Sequence, residues 1–417
     1  MKTFITAAVL FGSILMAPAQ TTWFEISTGT NKKLNTIDFP NAMTGYIGGN
    51  DSLLLKTIDG GQTWNQLNYS GITFYPGEEN IVSIWFTDEL IGYCAVGPYS
   101  GIYKTVDGGL NWTSILPAGN LCYNQGLFFF DEMNGFFGGA GCFQGELIEK
   151  MTSGVLGTTV INYSGPTPVS RITEIDFLDQ DFGIASSTGG RFYRTTDSGL
   201  TWDSIPSGLP NGVPVTSVDI VNDTLIYAGY NNLGSGFGIL RSVDAGLTWQ
   251  EDVGSATFYY PAFLCVHHGD NGYVYSGAQP SFGSQGLIFE SFDFSVWNYY
   301  DVDHPINDLT SSNDSTIFGV GDSGYVVVNQ PLDVLSLSET QNKNQFVLYP
   351  NPADEMLYFS FDQSGLSYPV SVFSSTGEKL SESVSDGQLS VSHLNPGVYF
   401  VTIHTGNEIE TLRFVKK

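Results

Sequence analysis

Asp59, Asp107, Asp197 and Asp244 each follow a Ser or Thr by two residues and precede a Trp by five: Trp64, Trp112, Trp202 and Trp249. The first phrase reads Thr57-Ile58-Asp59-Gly60-Gly61-Gln62-Thr63-Trp64, and copies stand at 105–112, 195–202 and 242–249. A weaker copy, one residue shorter, spans 291–297. A carboxylate so placed can act as a general acid or base, hold a cation, or clip its own turn. Asp side chains bond backbone N–H groups a few residues on. The Gly two residues later tolerates positive φ, and the Trp brings a large ring to bury. Four copies on four repeats cannot all serve one catalytic centre, so the phrase predicts a hairpin clip.

Other chemistry is sparse. There is no His-Glu-x-x-His, no calcium loop and no nucleophile elbow. Gly234-Ser235-Gly236-Phe237-Gly238 lacks the Lys-Ser/Thr of a phosphate loop. His267 and His268 are adjacent, the other His are scattered, and no Cys-x-x-Cys occurs, so neither zinc nor any cofactor is expected. Asp176, Asp179 and Asp181 have the spacing of a solvated turn. Cys122 and Cys142 share one repeat and suit a disulfide if their strands are neighbours; buried thiols are the alternative. Glycoside hydrolysis needs two carboxylates roughly 5–10 Å apart, and the many acids leave that pairing open.

The elements that carry these residues are strands. The chain has 417 residues, 49 of them Gly, with 14% aromatics, which disfavours both disorder and long helices. Acidic residues number 42 against 15 basic, for a net charge of −27. That charge excludes nucleic acid and anionic membrane as partners. A short apolar strand, a polar turn and a Gly-aromatic strand precede each phrase, as in Ile37-Asp38-Phe39 before Gly45-Tyr46. The seven units that result, each about 45 residues with four short strands, predict an all-β, seven-bladed β-propeller over 20–330. The last unit has only three strands. Trp23-Phe24-Glu25-Ile26-Ser27 matches a fourth strand and is expected to close the ring.

Residues 1–19 read as a signal peptide, with Lys2, an apolar run too short to span a bilayer, and Ala17-Pro18-Ala19 before the cut. No later stretch is a transmembrane segment. A polar linker covers 331–345. Strands at 356–361, 370–373, 389–391, 398–403 and 411–415 predict a small C-terminal β-sandwich over 346–417.

The repeated phrase resembles the Asp-box, or bacterial neuraminidase repeat. The whole unit resembles the photosystem II assembly-factor-like secreted propellers. The C-terminal segment resembles the type IX secretion sorting domain of Bacteroidota, on Tyr349-Pro350-Asn351-Pro352, on Gly397 and Tyr399 within Leu394-Asn395-Pro396-Gly397-Val398-Tyr399, and on the basic end Lys416-Lys417. These resemblances imply delivery by the type IX machinery to the cell surface or medium, with the propeller as cargo. A sialidase is not implied: of five Arg, Arg194 and Arg241 belong to repeat phrases and Arg413 to the last domain, so no arginine triad remains. The expected function is a non-enzymatic protein- or glycan-binding module. A glycoside hydrolase or lyase, or an assembly factor for another exported complex, are the alternatives. Loops between second and third strands and between blades share one face. There Tyr99, Tyr259, Tyr260 and Phe282 are candidate ligand contacts, and loop packing is the other use for their rings.

Overall fold

The computed structural model describes residues 22–329 and 347–417, except 99–100, 117–120, 142–144, 164–169, 211, 233–235, 255–260, 270–271, 281–284, 293–295, 314–315, 350–352, 361–367, 375–378, 386–387 and 405–408. The chain divides into two compact units, Met1–Val334 and Leu335–Lys417.

The first unit is a β-propeller. Its described residues form seven four-stranded antiparallel sheets. Blades 1 to 6 span 34–66, 81–116, 121–163, 172–206, 215–254 and 261–302 in simple up-and-down order. Blade 7 takes three strands from 306–329, and its outer strand is Trp23–Ser27, paired from Trp23 opposite Asn329 to Ser27 opposite Tyr325. The N-terminal strand thus closes the ring. The first strand of each blade touches that of the next, and blade 7 returns to blade 1.

Aromatic stacks bond the blades. Tyr46, from the Gly-aromatic strand of blade 1, stacks on Phe86 of blade 2 at 3.6 Å between centroids, and Trp112 meets Phe86 edge-on. Phe136, Phe177 and Trp202 repeat this between blades 3 and 4, and Phe318, Phe39 and Trp64 between blades 7 and 1. Large rings in offset or edge contact add to the area they bury. A cation in the third strand adds a clasp to the next blade. Lys56 Nζ donates to the carbonyl of Gly108, Lys104 Nζ to that of Glu132, Lys150 Nζ to that of Ser198 and Arg194 Nε to that of Ala245.

The repeated phrase forms the turn between third and fourth strands. In the first copy, Asp59 Oδ1 accepts from the Thr57 hydroxyl at 2.7 Å and the Thr63 amide at 2.9 Å, and the Gly61 amide donates to Thr57 Oγ1. Asp107, Asp197 and Asp244 hold the same bonds in their copies. The Thr201 hydroxyl and amide hold the Asp197 carboxyl down at about 2. Gly61 has φ +87°, and a Cβ there would lie 2.6 Å from the Phe318 ring of blade 7. In blade 3 a two-residue turn at Ser153-Gly154 replaces the phrase.

The second unit has two antiparallel sheets. One holds Val347–Tyr349, Met356–Ser360 and Gln388–Ser390; the other holds Tyr368–Ser374, Lys379–Ser385, Gly397–His404 and Ile409–Lys416. Leu357 and Leu389 of the first share a buried core with Val370, Val372, Val401 and Phe414 of the second. Seven strands thus stand where five were expected. Val347–Tyr349 is only three residues long, and Lys379–Ser385 is mostly polar and gave no apolar run.

Candidate functional site

The first strand of a propeller blade is an edge strand at the axis. Its outward backbone groups have no further strand to pair with, and unpaired buried groups are costly. In this ring the preceding blade satisfies them. Asp38 Oδ2 accepts the Phe86 amide, Glu174 Oε2 the Val218 amide, Asp176 Oδ2 the Ile220 amide, Asp219 Oδ2 the His268 amide and Asp308 Oδ2 the Ile37 amide. Trp85 Nε1 donates to the Phe129 carbonyl between blades 2 and 3. Burial pushes the Asp38 and Asp176 carboxyls up to about 7 and Asp308 to about 6. Asp176 is therefore not part of a solvated turn. It lies on the strand Ile172–Phe177, while Asp179 caps the following turn through the Asp181 and Phe182 amides.

Blades 5 to 7 bring three groups into line. Asp219 Oδ2 lies 3.2 Å from His267 Nδ1, and His267 Nε2 lies 2.7 Å from Ser311 Oγ. Burial would lower the imidazole, but the Asp219 carboxylate raises it above its ordinary value. The order acid, base, hydroxyl is that of an activated nucleophile. Such a site also needs N–H groups aimed at the developing oxyanion. Here the amides of Ile220, His268 and Ile37 are already given to Asp176, Asp219 and Asp308. The line of three therefore reads as the link across these two blade junctions.

Above this tier the ring opens into a cavity of about 640 Å³. Seven of its lining residues are Asn35, Val82, Gln125, Thr173, Thr216, Leu264 and Asn307, one from each blade. Each sits where the pairing of first and second strands shifts register. A bulge leaves one residue unpaired and re-aims its side chain, so seven bulges at the same place build one mouth. Three of them are held by hydrogen bonds across blade junctions. Asn35 Nδ2 donates to the Ile81 carbonyl and Asn307 Nδ2 to the Leu34 carbonyl, each on the next blade, and Arg171 Nε donates to Gln125 Oε1 at 2.9 Å. Lys33 Nζ meets Asp322 at 3.1 Å on the rim.

Of the aromatic contacts expected on this face, Tyr99, Tyr259, Tyr260 and Phe282 lie outside the described residues, as does Cys142, while the Cys122 side chain is likewise not described. Among the described residues Tyr75 is exposed, whereas Phe74 packs on the core of blades 1 and 2. Pro350, Asn351 and Pro352 and the linker 331–345 also fall outside. Tyr349 ends a strand opposite Tyr358. Gly397 begins the strand in which Tyr399 stacks on Phe414 and donates its hydroxyl to the Asn395 carbonyl. No group of His, Cys, Asp or Glu fit to hold a metal ion occurs among the described residues.

Residues 347–417 match the secretion system C-terminal sorting domain. The second unit is a sorting domain of that family. The protein is accordingly a type IX secretion cargo, destined for the cell surface or the medium. Among the described residues no helix is long and apolar enough to cross a membrane. Residues 15–116, ahead of the sorting domain, match the photosynthesis system II assembly factor YCF48. No curated protein matches the chain. Among solved structures, YCF48 from Cyanidioschyzon merolae is 17% identical with a TM-score of 0.56, over 74% of this chain and 98% of its own. A structure described as YCF48 bound to D1 peptide is 16% identical with a TM-score of 0.57, over 74% and 97%. The extracellular domain of the putative one component system BT4673 from B. thetaiotaomicron is 12% identical with a TM-score of 0.54, over 94% of this chain and 59% of its own. At these identities the likeness is one of fold.

Proposed function

We propose that the exported propeller is a non-enzymatic binding module that takes an extended peptide segment of another exported protein into the axial mouth. The observation that carries this reading is the ring of seven bulges. It turns one polar or apolar side chain per blade toward a common cavity, and Asn35 and Asn307 are already fixed by contacts to the next blade. Preorganised groups lose little freedom when a ligand arrives. Asn, Gln and Thr offer both donors and acceptors, as a peptide backbone requires. The solved YCF48 with a D1 peptide favours a peptide over a glycan. The catalytic alternatives lose ground, because each acid of the axial tier is engaged by a backbone amide of the next blade.

On this reading residues 1–19 are a signal peptide. N-terminal sequencing of the secreted protein should begin at Gln20. Binding is tested with the secreted protein on peptide and glycan arrays. Leu264→Trp, which fills the mouth, and Arg171→Ala should each weaken peptide capture at least about tenfold, or 1.4 kcal/mol, with an unchanged circular dichroism spectrum. Unaltered capture by both variants would remove the mouth from consideration, and capture of glycans alone would replace the ligand class.

A further inference from the structure

The opposite face of the propeller carries a second surface. In the repeated phrase, Thr57 and Asp59 bond to each other, so the residue between them is turned outward. Any polar residue would serve there. The chain instead places Ile58, Val106 and Val243, at 71%, 59% and 58% exposure. Two residues before the closing Trp it places Leu110, Leu200 and Leu247, again about half exposed or more. The turn between first and second strands lies beside the phrase in each of these blades. The Gly60 amide donates to the Met43 carbonyl and the Gly108 amide to that of Leu90. Met43 and Leu90 in those turns are exposed as well, as is Met133 in the corresponding turn of blade 3. Among the described residues of the first unit, all exposed large apolar side chains except Tyr75, Val155 and Tyr299 belong to these two sets of turns. A clustering of that kind marks an interaction surface rather than scattered surface residues.

The charge of the face selects its occupant. Its cations are spent within the ring: Lys56, Lys104, Lys150 and Arg194 donate to carbonyls of the next blade. Between the apolar studs stand exposed Asp88, Glu89, Asp131 and Asp181. A second copy of a chain with net charge −27 would be repelled, and an anionic lipid surface equally. We propose that this face docks a protein partner whose own surface is apolar and set with Lys and Arg. Apolar contact supplies the adhesion and opposite charge the encounter. The partner sits across the ring from the mouth, so the two sites are independent, and failure of one leaves the other standing.

The test uses the secreted protein and an amphipathic Leu/Lys helical peptide as probe, with a Leu/Glu peptide of the same pattern as control. The Leu/Lys peptide should bind and the Leu/Glu peptide should not. The triple variant Leu110→Ser/Leu200→Ser/Leu247→Ser, altered only at exposed positions, should weaken binding at least about tenfold. Leu264→Trp at the mouth should leave it unchanged. Equal affinity of the triple variant would overturn the proposal, since charge alone would then account for binding. So would dimerisation of the secreted protein that the triple variant abolishes, or stud-dependent binding to zwitterionic phosphatidylcholine vesicles.

Discussion

At the scale of single residues, the axial acids set the pH response. Asp38, Asp176 and Asp308 have folded values raised above the ordinary carboxylate value, to about 7, 7 and 6, mainly by burial. The folded state then binds more protons than the unfolded state between about pH 4 and 7, so stability falls as pH rises through that window. His267 is raised too, and its contribution is likewise lost on going alkaline. The phrase acids such as Asp197 are lowered, and their contribution is lost only when pH falls below the ordinary carboxylate range. The melting temperature should therefore be higher at pH 5 than at pH 8. Asp38→Asn and Asp176→Asn, which keep an acceptor for the Phe86 and Ile220 amides, should flatten that slope. A wild-type melting temperature independent of pH over this range would contradict the assignment. Asp197→Ala removes the Thr195, Thr201 amide and Thr201 hydroxyl bonds together. It should lower the urea midpoint.

At the scale of elements, the hairpin turns and the bulges carry the argument. Ala245 stands at φ +59° in the fourth phrase, where the first two have Gly. A left-handed conformation costs a residue with Cβ roughly 1–2 kcal/mol. Ala245→Gly should thus raise stability by about 1 kcal/mol, read from the urea midpoint. Gly61→Ala should lower it, because strain and the Phe318 ring both oppose the added carbon. The turns were legible in the sequence, since Asp, Gly and Trp at fixed spacing have few other uses. The bulges were legible as well, though less plainly. Leu34 to Ile37, Ile81 to Ile84, Ile172 to Ile175 and Val215 to Val218 are three apart, where an unbroken strand alternates by two. That extra residue is the one that faces the mouth. Its type varies from Asn to Val to Thr, so composition gave no hint of it. Asp176 was misplaced for a related reason. Its nearness to Asp179 and Asp181 suggested one solvated cluster, but the strand ends only at Phe177.

At the scale of the whole molecule, few cations serve a large acidic ring. Those of the third strands clasp neighbouring blades, and Lys33 and Arg171 stand at the mouth. Seven blades could be read from repeats and turn residues, because each repeat must bury its faces against the next. What the mouth receives could not, since ligand choice rests on how far each bulged side chain reaches. The sorting domain has its own two-sheet core. Removal of residues 335–417 should accordingly leave the calorimetric transition of the propeller unchanged. Deletion of residues 20–27 should instead abolish the cooperative transition, because blade 7 loses its outer strand.

The pairing of Trp23 with Asn329 joins positions some three hundred residues apart. Contacts so distant in sequence form late. A chain halfway through a narrow pore has one end on either side and cannot make this join. Locking is thereby reserved for the compartment where head and tail have both arrived.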